Sequence, residues 1–144
     1  MSMATMRWLF VTLVATLPQS FATAEPVRNG LLRLENELAV CSAYYALASE
    51  TVQRGSKSHE AAGAASDLKA ASQQMLTRAL MIARLVELAD QVVMRQVTEA
   101  LERFVKEIND DPARSLEHMD KLYGRPCDTL ERDLVTRYND LIGR

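Results

Sequence analysis

The sequence predicts an all-α fold, an up-down-up-down four-helix bundle, and three observations lead there. Apolar residues recur at helical steps of three and four along almost the whole chain after residue 30. No strand-type alternation of useful length occurs. Two cysteines, Cys41 and Cys127, stand 86 positions apart, and their heights agree only if the chain folds back three times.

Helix 1 is expected over 30–54. Leu31, Leu34, Leu38, Cys41, Tyr45, Ala48 and Val52 are spaced by alternating threes and fours, which places them on one stripe of a helix. Asn29 is the expected cap and Gly55 the expected left-handed stop. Ser58 is then the expected cap of helix 2.

Residues 59–109 contain no proline, and Gly63 is their only glycine. Their seam runs through Ala61, Ala65, Leu68, Ser72, Met75, Ala79, Ile82, Val86, Ala89, Val93, Val97, Leu101, Phe104 and Ile108. As one helix, this segment would be about 75 Å long at 1.5 Å per residue. The cysteines then decide between one helix and two. Against a single long helix they would sit roughly 30 Å apart along the axis, whereas bridged Cα atoms lie about 5.5–6 Å apart. With a turn near Glu87–Gln91, their heights above the same end agree within roughly 6 Å. Helices are therefore expected at 59–87 and 90–109, with Asp90 as the cap of the third; no strong breaker occupies the turn, so the alternative is one bent long helix or an intertwined dimer. The last helix is expected over 112–142, starting at Asp111-Pro112, broken at Gly124-Arg125-Pro126 (124–126) and closed by Gly143. A Cys41–Cys127 disulfide closing this loop would contribute roughly 3–4 kcal/mol.

Residues 1–24 are expected to be a cleaved signal peptide. Arg7 precedes an apolar run from Trp8 to Leu17, and Ala22-Thr23-Ala24 supplies small-x-small before Glu25. The run of about 10 residues is too short to span a bilayer, which takes roughly 20. Residues 25–144 then form a single helical domain, located in a periplasm or secreted, with no stable membrane insertion after cleavage. An exported chain meets an oxidising compartment, which suits the disulfide.

Composition and motifs narrow the chemistry. The chain has 17 basic and 19 acidic residues and a net charge of −2, so no nucleic-acid partner is expected. Covalent haem attachment needs Cys-x-x-Cys-His, and di-iron bundles need Glu-x-x-His; neither occurs. The residues three before His59 and His118 are Ser56 and Ser115. A non-covalent haem would call on His118 with Met75, Met81 or Met94, but Met75 fits the seam as filler. Two histidines do not make a zinc site in one chain. No cofactor, metal or catalytic residue is therefore expected. The carboxylate pairs Glu35/Glu37, Glu87/Asp90 and Glu99/Glu102 read as surface charge.

What remains is a candidate interaction surface at Tyr44, Tyr123 and Arg125, the last two in an irregular bend beside the expected disulfide. The expected function is that of an exported, non-catalytic bundle acting through protein contacts, as an accessory, adaptor or inhibitor. It would work as a monomer or homodimer. The alternative is a carrier holding a small apolar ligand between its helices. A cavity favours the carrier, and an exposed apolar patch favours the interaction module.

Overall fold

The computed structural model describes residues 24–112 and 115–143, with the side chains of 115 and 116 excepted; the expected signal peptide lies outside them but for Ala24. The described chain is all-helical, and its helices run up, down, up and down. α1 spans Glu25–Gly55, α2 His59–Leu85 and α3 Asp90–Asp110. The last arm is α4 (Ser115–Met119), a π turn (Asp120–Gly124) and α5 (Arg125–Ile142). Between 59 and 109 the chain therefore forms two helices.

α1 is the central helix. It packs on α2, α3, α5 and the π turn, and α3 meets the last arm at α4 and through Phe104 against Tyr123 of the π turn. The core accordingly divides into two wedges that share α1. One lies between α1, α2 and α5 and holds Leu31, Leu34, Leu38, Met75, Ala79, Ile82 and Leu130. The other lies between α1, α3 and the start of the last arm, around Ala43, Ala100, Phe104 and Met119. Each large apolar side chain buried this way contributes about 1.5–3 kcal/mol relative to exposure. Since α1 is covered on several sides, burial on it exceeds the single predicted stripe and includes Glu35, Ala39, Ser42 and Ala43.

The disulfide joins Cys41 to Cys127 across α1 and α5, with Cα atoms 5.5 Å apart. Antiparallel α1 and α2 are tied by Ser72, whose hydroxyl donates to the Ser42 carbonyl at 2.8 Å, and by Ser49, which donates to the Ala65 carbonyl at 2.7 Å.

Helix ends follow the prediction in part. Ser58 caps α2, its Oγ accepting from the Ala61 N–H at 3.1 Å, and Gly143 closes α5 in the left-handed region at φ 73°. α1 starts five residues before the expected position, because Pro26 is favourable in a first turn and Asn29 is absorbed into the helix. Its end is made by Ser56 in extended conformation, and Gly55 stays helical. α2 stops at Leu85 in a Schellman arrangement: Leu88 N–H donates to Ala83 C=O at 2.8 Å, and Glu87 N–H to Arg84 C=O at 3.3 Å. The left-handed position falls to Glu87, at φ 58°. That turn leaves Ala89, not Asp90, at the N-cap of α3. Asp90 sits in the first turn, where its charge suits the helix N-terminus, and pairs with Arg84 at 3.2 Å.

The predicted break at 124–126 is not a break. The helix continues through it by widening, with the Arg125 N–H reaching back five residues to the Asp120 carbonyl. Pro126 has no N–H to return to the carbonyl four residues before it, so the normal ladder is interrupted there. A single π turn lets the helix pass without ending.

Candidate interaction groove beside the disulfide

The π turn is held against α1 by two tyrosines one residue apart. Tyr45 is buried, and its hydroxyl donates to Asp128 Oδ1 at 2.7 Å in the first turn of α5. Tyr44 is half-buried and donates to Asp120 Oδ1 at 3.3 Å in the π turn. Burial, then the Asp120 charge and its hydrogen bond, push the Tyr44 hydroxyl up to about 12. Burial and the Asp128 hydrogen bond raise Tyr45 as well. Both phenols are therefore neutral donors at physiological pH.

Gly124 is needed for this contact. A Cβ there would meet the Tyr44 hydroxyl at 2.7 Å and collide with the Asp120 carboxylate. Any larger residue there would have to displace the ends of these two side chains and so disturb the Tyr44–Asp120 hydrogen bond.

The aromatic residues form a short chain from core to surface. Phe104 is buried and lies 4.5 Å from Tyr123 between ring centroids. Tyr123 is 6.4 Å from Tyr44, and Tyr44 is 5.4 Å from Tyr45. Spacings in this range suit tilted aromatic pairs. Tyr123 then opens on a groove of about 200 Å³ between α1 and the last arm, lined also by Val40, Cys41, Pro126, Cys127 and Leu130.

Beside it lies a shallower depression bordered by Lys121, Arg125, Thr129, Glu37 and Arg137. Two of its cations are engaged. Arg137 binds Glu37 through both nitrogens, at 2.6 and 3.2 Å, and this hydrogen bonding raises its pKa. Lys121 pairs with Glu117 at 2.7 Å. Arg125 is exposed and has no ion-pair partner among the described residues. The predicted surface residues are thus brought to one place in two layers. Tyr123 lines the groove and Arg125 the depression beside it, while Tyr44 stands behind them as a support. Gly124 was read only as part of the expected break, and Asp120 and Asp128 were not singled out by sequence reasoning. The one signal for them was the neighbouring Pro126, which requires some local irregularity.

Glu35 departs from its expected place on the surface. It is fully buried on α1, and neither carboxylate oxygen has a hydrogen-bond partner. Burial raises its pKa from 4.5, and a weaker side-chain hydrogen bond with Gln96 on α3, short of full hydrogen-bond geometry, partly opposes the shift. The Gln96 Oε1 is itself buried without a partner. A neutral carboxyl can donate to that oxygen, which the ionised form cannot do.

Met75 is fully buried in the α1–α2–α5 wedge, and His118 is exposed. Among the described residues, no group of three or more His, Cys, Asp or Glu side chains is placed to hold a metal ion. No described helix is long and apolar enough to cross a membrane. Comparison with protein-family models, with curated proteins and with solved structures finds no match.

Proposed function

We propose that the chain is an exported helical bundle, trimmed after Ala24, that acts without catalysis by binding a protein at the groove beside its disulfide. The observation that carries this reading is the rigid presentation of Tyr123 and Arg125. The π turn bearing Tyr123, and Arg125 directly after it, are fixed to α1 by the Cys41–Cys127 bond and by the hydrogen bonds of Tyr44 and Tyr45. Tyrosine and arginine are the side chains that most often anchor protein interfaces. Anchors held in place before binding lose little entropy on association.

Two facts support export. The disulfide is of the kind that persists in oxidising compartments. α1 also starts at Glu25 with Pro26 in its first turn, so cleavage after Ala24 would remove only the N-cap, whose carbonyl accepts from the Val27 and Arg28 N–H groups, and none of the helical residues.

The test is site-specific photo-crosslinking in an exporting host, with the reactive residue at position 121 or 129, which border the depression beside the groove together with Arg125, or at exposed position 50 as control. The reading predicts one protein adduct from the rim positions, absent from position 50 and lost with Arg125→Glu. Equal adducts from all three positions would refute it. A small molecule retained in place of a protein adduct would favour the carrier.

A further inference from the structure

α3 is held differently from the other helices. α1 is joined to α5 by the disulfide and by Arg137 on Glu37, and to α2 by the hydroxyls of Ser72 and Ser49. Among the described residues, the one ion pair or full hydrogen bond from an α3 side chain to another helix is Asp90 with Arg84, at its first residue. Beyond that residue the grip of α3 is apolar, along Val93, Val97, Ala100 and Phe104 at steps of four, three and four.

Within that apolar seam α1 buries a carboxyl. Glu35 is sealed from water with neither oxygen fully partnered, and Gln96 of α3 brings one amide towards it, whose own Oε1 is buried without a donor. No charge answers Glu35 from any side. On α3, Arg95 and Glu99 are exposed and face each other at 3.9 Å. On α2, Arg78 is turned to Glu131 and Arg84 to Asp90. On α1, Arg33 is exposed, Arg28 reaches the Val86 carbonyl and Glu37 is bound by Arg137. A neutral carboxyl can satisfy both partners by donating to Gln96 Oε1. An ionised one meets a single amide and no cation, and burying such a charge is costly.

We propose that Glu35 is a proton-operated latch for α3: while it holds its proton α3 stays docked on α1, and when it loses the proton α3 detaches while the wedge of α1, α2 and α5 stays folded. Detachment of α3 is the way for that charge to reach water that breaks the fewest ties. It also changes the surface. Phe104 leaves with α3, and its ring is the one packed on Tyr123, 4.5 Å away between centroids. Ala43 and Leu47 of α1 are then uncovered, next to the groove that Val40 and Tyr123 line. Rising pH therefore widens that groove. The latch needs no partner, so it and the proposed protein contact can each fail alone.

The test is amide exchange followed by NMR on the oxidised protein from about pH 4.5 to pH 8, expressed as protection so that the intrinsic pH dependence of exchange is removed. Opening of α3 releases one proton, so it rises by up to about tenfold per pH unit above the ordinary carboxylate value until the docked value is reached. Protection over 92–108 should fall as a set by about tenfold or more across the range, and at pH 8 it should lie at least about tenfold below the best-protected amides of α1 and α2. Glu35→Gln should hold α3 protection level at every pH. Glu107→Gln, at a carboxylate of α3 that also has a buried unpartnered oxygen, should leave the fall in place. Protection of α3 that is level with pH overturns the proposal, as does a fall that survives Glu35→Gln or is removed by Glu107→Gln. So do α3 amides that exchange only with the slowest amides of α1 and α2, since the opening would then be global.

Discussion

Replacing Glu35 by Gln should stabilise the protein at neutral pH and do almost nothing in acid. Glu35 is fully buried with both oxygens unpartnered, and burial holds its pKa above 4.5. Below about pH 4.5 the carboxyl is neutral in folded and unfolded chains alike, so the folded state loses nothing. As pH rises through that value, the unfolded chain releases its proton while the folded chain keeps it. Stability then falls until the raised folded value is reached, and stays constant beyond it. Glutamine fills nearly the same volume, does not ionise, and can exchange hydrogen bonds with Gln96. An unsatisfied buried polar group costs about 1–3 kcal/mol, and a charged one more. Glu35→Gln should therefore gain about 1–3 kcal/mol at pH 7.5 and under about 0.5 kcal/mol at pH 4.5. For a domain of this size, 1 kcal/mol moves Tm by roughly 4 °C. Denaturant melts of both proteins at the two pH values measure the difference. A substitution that destabilises equally at both would refute the reasoning, since Glu35 would then have a hydrogen-bond partner that glutamine cannot replace.

Three further outcomes follow from the backbone and the crosslink. Glu87→Gly should stabilise by about 0.5–1 kcal/mol, read as a shift in denaturant midpoint, because Glu87 holds the left-handed position of the Schellman turn at φ 58°. Gly124→Ala should cost about 1 kcal/mol net, the collision with Tyr44 and Asp120 outweighing the gain in helix propensity. In a Tyr44→Phe background the same substitution should be neutral or stabilising, and a double-mutant cycle reads that coupling. Replacing both Cys41 and Cys127 by Ala should lower stability by roughly 3–4 kcal/mol, with helix content by circular dichroism unchanged at low temperature.

Much of the bundle was legible because it rests on periodicity and on height. The alternating threes and fours from Leu31 to Val52 define α1, and the axial positions of Cys41 and Cys127 argue against a single straight helix over 59–109. Ser58 and Gly143 were legible because capping chemistry is local. The misreadings share a cause, which is that a tertiary contact outranked a local preference. Glu35 was assigned to the surface because one stripe per helix was assumed, whereas α1 is enclosed by three helices. Asp90 was taken as a cap because aspartate favours that role, but the Schellman turn at Glu87 fixes Ala89 there. Gly124-Arg125-Pro126 suggests a break by composition. Yet Gly124 is the residue that lets the helix approach Tyr44, and the π turn absorbs what Pro126 cannot donate. For the candidate groove, Tyr123 and Arg125 were visible as an irregular bend beside a cysteine. Asp120 and Asp128 were not, since nothing local distinguishes a carboxylate that receives a tyrosine from one that faces water.

The central claim is an exported, disulfide-closed bundle that works by contact with another protein. Native mass spectrometry of the protein recovered from an exporting bacterial host, without reductant, tests it most directly. The account predicts a chain beginning at Glu25, lighter by two hydrogens than its reduced form and free of any small molecule. A chain that keeps Met1 and two free thiols would contradict export and the closed fold together, and a stoichiometric bound small molecule would contradict the contact function.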